Sequence, residues 1–250
     1  MVRLRVAVGR PAGTSMTSAE LDKVLGAATA VLFDFDGPVC SLFAGCPAPT
    51  VAEELRCRLE PHRGESRWSH AGLSDDPMRV LADAATWGAS FGEIADGILT
   101  ELETTAARTA APTPGGAASM RATVASGRRI AVVSNNSAKS VRAFFVEHPL
   151  PEFAEGAVVG RRFGKPELMK PHPAPIVETL RLLAVPPAEA VIVGDSLTDL
   201  IAARAAGVAC IAFADKPGKD VILADADVVI DDMQFLAEQL AEVSARNGAQ

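Results

Sequence analysis

Short, almost wholly apolar runs that alternate with helical segments are the feature that most constrains the fold of this chain. Three of these runs occupy residues 31–33, 129–133 and 190–193, and further short runs occupy residues 156–159, 209–213 and 227–230. Helical patterns follow at residues 137–147, 173–183, 198–206 and 233–245. Alternating strands and helices require right-handed crossovers, so the sequence predicts an α/β fold with a doubly wound parallel sheet covered on both faces.

Residues 41–112 depart from this alternation. They contain no strand-like run, but they carry helical patterns at residues 51–59, 77–87 and 91–105. We therefore expect an α/β core at residues 19–40 and 113–250, with a helical domain inserted after the first strand. Residues 110–116 are rich in proline and glycine and are interpreted as a linker or hinge. Residues 1–18 are expected to be a flexible tail, with Met16 as an alternative start.

Composition excludes several classes of function. The formal net charge of −7 disfavours a nucleic-acid partner, because such binding depends on Lys and Arg contacts to phosphates. No run of roughly 18 apolar residues exists, so no membrane partner is expected. Cys40, Cys46, Cys57 and Cys210 form no CxxC pair and are interpreted as free thiols, which favours a cytoplasmic location. The oligomeric state does not follow from these patterns.

Carboxylates follow two of the predicted strands. Asp34 and Asp36 come directly after the first strand, and Asp195 and Asp199 follow the strand at residues 190–193. In a parallel sheet, ligands bind beyond the carboxyl ends of the strands, so these acids are expected to gather at one edge. Acids gathered in this way repel one another unless a cation joins them, and their oxygen atoms suit Mg²⁺. The alternatives are an Asp-capped turn for Asp34 and Asp36, and a first-turn helix acid for Asp199.

Two further residues have features of a phosphate site. Ser134 ends a strand and leads into a helix, so its hydroxyl and the backbone N–H groups after it can hold phosphate oxygens at a positive helix end. Lys170 lies between Met169 and Pro171 in a loop stiffened by proline, which can aim its ammonium. The alternatives are a simple helix N-cap for Ser134 and a solvated surface charge for Lys170.

In chain order, a DxDG motif, a strand-terminal Ser, a Lys before Pro and a GDSxxD motif resemble the haloacid dehalogenase superfamily of aspartate-nucleophile hydrolases. The resemblance spans about residues 30–240, and the position of the helical insert is similar to that of the cap in phosphoglycolate-phosphatase-like members. It implies a Rossmann-like core with a helical cap at residues 41–112, and Mg²⁺ as the cofactor.

The resemblance also implies roles for the motif residues. Asp34 is expected to be the nucleophile and a Mg²⁺ ligand, and Asp36 to be the general acid and base whose backbone carbonyl also touches the metal. Asp195 is expected to bind the metal. Asp199 is expected to support the metal shell or to orient Lys170.

For the phosphate, the resemblance implies that Ser134, Asn135 and Lys170 hold the group, and Lys165 is the fallback for the lysine. Asp36 favours phosphate esters over carbon–halogen bonds, because an alkoxide leaving group needs a proton. The phosphonate-cleaving branch uses a cap lysine, but residues 41–111 contain none.

The expected substrate is a small phosphorylated metabolite, and the cap is expected to select it. Cys40 is a candidate for lining its pocket. Candidates for contacting the leaving group are Arg56, Arg58, Arg63, Arg67, Trp68 and His70. A phosphomutase of the same superfamily is the main alternative, because the motif residues would serve either reaction. A regulatory module on a retired enzyme fold and a protein phosphatase are further alternatives.

Overall fold

The computed structural model describes residues 18–70, 72–153 and 156–248. The strands are β1 (Ala30–Phe33), β2 (Cys40–Ser41), β3 (Ala111–Pro112), β4 (Arg129–Val133), β5 (Ala157–Val159), β6 (Ala190–Gly194), β7 (Ala209–Phe213) and β8 (Val228–Ile230). The α-helices are α1 (Ser18–Ala27), α2 (Ala48–Leu59), α3 (Pro77–Ala85), α4 (Ala89–Ala107), α5 (Gly116–Ala125), α6 (Ala138–Glu147), α7 (Ala174–Leu183), α8 (Leu197–Ala206), α9 (Lys219–Ile222) and α10 (Met233–Gly248). Short 3₁₀ helices lie at Glu60–His62, Pro151–Phe153, Pro166–Leu168 and Pro187–Glu189.

Six strands form one parallel sheet in the order β5-β4-β1-β6-β7-β8. Side chains on successive strand residues point to opposite faces, so Val31 and Phe33 enter one hydrophobic core and Ala30 and Leu32 enter the other. The first core includes residues of α1, α5, α6 and α10, and the second includes residues of α7 and α8. The predicted doubly wound α/β fold is confirmed.

Helices α2, α3 and α4 lie between β2 and β3 in the chain and form a hydrophobic core of their own. Strands β2 and β3 pair antiparallel, so the chain leaves and re-enters the larger unit at one place. Each strand has only two residues, which is too short to produce a pattern in the sequence. The domain boundaries at residues 40/41 and 112/113 stay a prediction.

The proline- and glycine-rich stretch at residues 110–116 joins the insert to the core and is packed, and its role as a linker or hinge stays a prediction. The Thr113 N–H donates to the Val39 carbonyl over 3.0 Å. Gly115 has φ 77°, and a side chain there would overlap the Gln234 backbone of α10. Helix α5 then begins at Gly116, a helix that the sequence pattern did not reveal.

Residues 1–17 of the expected N-terminal tail lie outside the described residues, and Ser18 begins α1. All four cysteines are free. Across the described ranges, we find no helix that is both long and apolar enough to cross a membrane.

Candidate active site

Asp34 lies at the middle of the sheet edge, where β1 ends between β4 and β6. Phe33 is level with Val132 and Val193, and the Asp34 N–H donates to the Val193 carbonyl over 2.8 Å. The Oδ1 atom of Asp34 accepts a hydrogen bond from the Phe35 N–H at 2.7 Å. The carboxylate is therefore held at the carboxyl end of the central strand, facing a cleft.

Lys170 supplies a buried positive charge beside Asp34. Its Nζ atom lies 2.8 Å from Oδ1 of Asp34, 2.5 Å from Oδ1 of Asp199 and 3.0 Å from the Val133 carbonyl oxygen. These three acceptors match the three ammonium hydrogens. Burial alone would lower the pKa of Lys170, but the carboxylates of Asp199 and Asp34 outweigh it and raise the pKa. The ammonium therefore remains charged.

Asn135 fixes the loop that carries Lys170. The Lys170 N–H donates to Oδ1 of Asn135 at 2.7 Å, and Nδ2 of Asn135 donates to the Lys170 carbonyl at 2.9 Å. The Asn135 carboxamide is thus committed to the Lys170 backbone. Lys165, the fallback for the lysine role, is exposed and lies 3.9 Å from Glu167. The structure brings Lys170, and not Lys165, to Asp34.

Ser134 is buried at the end of β4 and lines the cleft. Its hydroxyl donates to Oδ1 of Asn136 at 3.1 Å and accepts from the Asn136 N–H at 3.0 Å. The Ser137 N–H, at the start of α6, donates to Oε2 of Glu103 at 2.9 Å. Two of the N–H groups that the sequence suggested for phosphate are therefore already bonded within the protein.

Asp199 occupies the first turn of α8 and is fully buried. Ser196 and Asp199 form a capping box, in which the Ser196 N–H donates to Oδ2 of Asp199 at 3.1 Å. Its other oxygen, Oδ1, accepts from Lys170. Asp199 therefore both caps the start of α8 and orients Lys170. A side chain at Gly194 would overlap this carboxylate, so the strand end requires glycine.

Asp34, Asp195 and Asp199 each offer a carboxylate oxygen within 4.8 Å of the others. Burial raises the pKa of Asp34, and the charges of Asp199 and Asp195 raise it further, although Lys170 acts in the opposite direction. Burial likewise raises the pKa of Asp195, against the effect of Lys219. Crowded oxygen ligands with excess negative charge fit a divalent cation such as Mg²⁺.

Asp36 lies on the same side of the chain as Asp34 and also lines the cleft. Its Oδ1 atom accepts from the Leu42 N–H at 2.9 Å. Burial raises the pKa of Asp36 to about 6. A carboxyl group with such a pKa can both give and take a proton near neutral pH.

The cleft has a volume of about 1250 Å³ and separates the sheet edge from the helical insert. Ser134, Lys170 and the three acids Asp34, Asp36 and Asp195 lie on its core side. Its insert side is lined by Phe43, Ala48, Ser74, Asp75, Asp76, Pro77, Met78, Arg79 and Ala82.

The leaving-group candidates of the insert do not line this cleft, nor does the fully buried Cys40. The candidates concerned are Arg56, Arg58, Arg63, Arg67, Trp68 and His70. Several are engaged elsewhere: Arg58 lies 2.6 Å from Glu101, and Trp68 packs on Trp87 with ring centroids 4.4 Å apart. Arg79 of α3, which the sequence reasoning missed, lines the cleft instead.

Two other charged groups near the site were missed. Lys219 lies 2.5 Å from Oδ2 of Asp195. Arg161 is buried between α4 and the Ser134 loop, where it pairs with Asp96 and Glu103. The sequence does carry a signal for the second group, because Asp96, Thr100 and Glu103 recur at the spacing of one helix face.

Comparison with known proteins gives consistent results. The sequence model of the family described as haloacid dehalogenase-like hydrolase matches residues 93–213. A probable phosphoglycolate phosphatase of Pseudomonas savastanoi is 30% identical over 121 residues, which cover 48% of this chain and 74% of that protein. A phosphoglycolate phosphatase of Nitrosococcus oceani is 29% identical over 120 residues, which cover 47% of this chain and 52% of that protein.

The chain spans about half the length of several curated relatives that it matches. Among solved structures, the CbbY protein of Rhodobacter sphaeroides in complex with phosphate is similar, with a TM-score of 0.60 and 23% identity. That match covers 84% of this chain and 96% of the other. At this identity, the likeness establishes the fold.

Proposed function

Because the chain belongs to the family of haloacid dehalogenase-like hydrolases, we propose that it hydrolyses small phosphate monoesters through an aspartyl-phosphate on Asp34. The observation that carries the proposal is the contact between Asp34 and Lys170 at the base of the cleft. It combines a carboxylate that can attack with a fixed ammonium that can neutralise phosphoryl oxygens. Phosphoryl transfer depends mainly on positioning and on charge neutralisation of this kind.

In the first step, a carboxylate oxygen of Asp34 forms a bond to phosphorus while the bond from phosphorus to the ester oxygen breaks. The leaving alkoxide takes the proton of Asp36, which becomes a carboxylate. Lys170 and the Ser134 hydroxyl hold the non-bridging oxygens. Asn135 contributes by fixing the Lys170 backbone through its carboxamide.

In the second step, Asp36 takes a proton from water, and the resulting hydroxide attacks phosphorus. The bond from phosphorus to Asp34 breaks, which releases inorganic phosphate and restores both carboxyl groups to their starting states. The pKa of Asp36, about 6, suits both directions of proton transfer.

The metal would be held by Asp34 and Asp195 and by the backbone carbonyl of Asp36, with Asp199 fixing Lys170 beside it. When bound, Mg²⁺ supplies positive charge to the phosphoryl oxygens. The residues fit this ion because the carboxylates of Asp34, Asp195 and Asp199 lie close together and outnumber the two ammonium groups, of Lys170 and Lys219, that contact them.

The proposed substrate is a small phosphorylated metabolite, because the insert faces the site across the cleft. Phosphoglycolate enters the panel of candidates from the names of the relatives. A cytoplasmic location, for which the free thiols provide support, belongs to the same proposal.

The decisive assay is phosphate release from a panel of small phosphate esters with Mg²⁺, comparing the wild type with Asp34→Asn. Release that requires both Mg²⁺ and Asp34 supports the proposal. If free phosphate never appears but a sugar phosphate is isomerised, the alternative of a phosphomutase replaces it. Chelation with EDTA provides the metal-free control.

A further inference from the structure

Arg161, in the loop after β5, has a side chain that is completely removed from solvent. Its Nε and Nη2 atoms lie 2.9 and 2.7 Å from Oδ1 of Asp96, and its Nη1 atom lies 2.8 Å from Oε1 of Glu103. Nη1 also donates to the Asn135 carbonyl at 2.9 Å. One guanidinium therefore joins helix α4 of the insert to the loop that follows β4.

Glu103, which is also fully buried, reaches the same loop directly. It accepts from the Ser137 N–H at 2.9 Å and from Nδ2 of Asn136 at 3.2 Å. The loop at residues 135–137 is thus held at three successive residues by a single pair of buried charges.

The restraint continues to Lys170. Arg161 holds the Asn135 carbonyl, and the Asn135 carboxamide holds both the N–H and the carbonyl of Lys170. The Lys170 ammonium in turn contacts Asp34. A displacement of Arg161 would therefore be transmitted to Lys170 through one intervening residue, Asn135.

We propose that Arg161 and Glu103 are positioning residues that set the geometry of the phosphate-binding loop and, through Asn135, of Lys170. This inference rests on the proposed function, because it assigns a purpose to the phosphate site named there. A buried ion pair is costly to desolvate and seldom adds stability beyond that of an apolar pair. Here Arg161 and Glu103 both form directed hydrogen bonds with one loop, which an apolar pair could not form.

The test uses Arg161→Met and Arg161→Lys, with Arg128→Met as the matched control. Arg128 donates to the carbonyls of Ala28 and Leu25 over 3.0 and 2.9 Å, at the opposite end of the sheet. Its removal should lower the melting temperature without changing the site. Lysine at position 161 keeps the charge but lacks the planar fork that serves three partners at once. If Arg161→Met does not fold, the test uses Arg161→Lys alone.

Three measurements separate positioning from simple stability: calorimetric binding of inorganic phosphate with Mg²⁺, KM and kcat for an ester, and hydrogen exchange of the peptide containing residues 134–137. For both Arg161 variants we expect the phosphate dissociation constant to rise by about tenfold or more. KM should rise in parallel, and loop exchange should be faster. Binding of Mg²⁺ alone should change by less than about twofold, because only the far end of this chain of bonds, the Lys170 ammonium, contacts a proposed metal ligand, Asp34.

Folded Arg161 variants that bind phosphate as tightly as the wild type would overturn the inference, whatever their melting temperatures. So would an Arg128→Met variant with the same loss of phosphate affinity, because the effect would then be general destabilisation. A wild type that binds phosphate but hydrolyses no ester would refute the proposed function alone. A wild type that binds no phosphate would overturn both.

Discussion

The ammonium of Lys170 and the carboxylate of Asp199 form a 2.5 Å ion pair that is almost completely removed from solvent. Asp199 is itself fixed, because its second oxygen closes the capping box at the start of α8. The position of Lys170 over Asp34 is therefore set by a helix terminus on one side and by Asn135 on the other. The ammonium is therefore held beside the Asp34 carboxylate.

Asp199→Asn should separate the charge of this residue from its capping function. The amide keeps an oxygen for the Ser196 cap, but it removes the negative charge that holds Lys170. We expect kcat to fall by about tenfold to a hundredfold in steady-state assays of the folded protein. Asp232→Asn is the control, because Asp232 accepts from the Gln234 N–H at the start of α10, and it should cost at most about 1 kcal/mol of stability. Unchanged turnover in Asp199→Asn would exclude a role for the charge.

Asp34→Asn should abolish turnover without destabilising the metal-free protein. Burial raises the pKa of Asp34 above its unfolded value, so ionisation at neutral pH disfavours the folded state. A neutral amide of the same shape removes that penalty. We expect the melting temperature in EDTA to equal or exceed that of the wild type, and the increase produced by Mg²⁺ to shrink. A large drop in the melting temperature in EDTA would instead mean that the ion pair with Lys170 stabilises the folded state by more than burial of the Asp34 charge destabilises it.

Lys219→Met should strengthen Mg²⁺ binding. The Lys219 ammonium lies 2.5 Å from Asp195 and 2.6 Å from Asp215, so it competes with a cation for the Asp195 carboxylate. We expect an increase in affinity of about threefold to tenfold by calorimetry. Lys216→Met is the control, because Lys216 is largely exposed and lies 3.9 Å from Asp215. Weaker binding in Lys219→Met would show that Lys219 orients Asp195 for the metal.

Arg79→Ala should affect the substrate more than the chemistry. Arg79 lines the cleft, and its nearest acid, Asp76, is 3.8 Å away, so its guanidinium is available to a leaving group. We expect KM for an ester with an anionic leaving group to rise by about threefold to tenfold, with kcat little changed. Arg58→Ala is the matched control, because Arg58 pairs with Glu101 outside the cleft. Equal effects from both variants would contradict the assignment.

The sequence predicted the parallel sheet and the edge that carries its polar side chains, because buried parallel strands are continuous apolar runs that end abruptly. Asp34, Ser134 and Asp195 could be placed together on that basis alone. The family resemblance gave Lys170 its expected place at the phosphate, but its contact with Asp34 was not predicted, since the lysine lies in a loop 136 positions away from Asp34 in the numbering.

The sequence did not show which side chains of the insert line the cleft. Arg56, Arg58 and Arg63 are each matched by a carboxylate, two of them on neighbouring turns of the chain, and the sequence does not say which face of a helix meets the cleft. The pairing of Arg161 with Glu103 spans 58 positions and depends on how α4 packs against the core. Such contacts are decided by tertiary packing rather than by local pattern.

Cys40 should resist thiol reagents in the native protein, while Cys57 should react. Cys57 is exposed, but Cys40 is fully buried, and burial strongly raises the pKa of its thiol. The Cys40 backbone is also bonded on both sides, because its N–H donates to the Phe35 carbonyl and its carbonyl accepts from the Gly37 N–H.

Mass spectrometry after brief treatment with a thiol reagent should find Cys57 modified and Cys40 intact, and Cys57→Ser should remove the fast phase. Cys40 lies in β2, which pairs with β3 where the insert joins the core, so its modification would require that junction to open. If Cys40 reacts as fast as Cys57, and Mg²⁺ with phosphate slows it, the junction opens in the free protein and closes around the ligand. An unchanged, slow rate under both conditions would mean that β2 and β3 stay paired with and without the ligand.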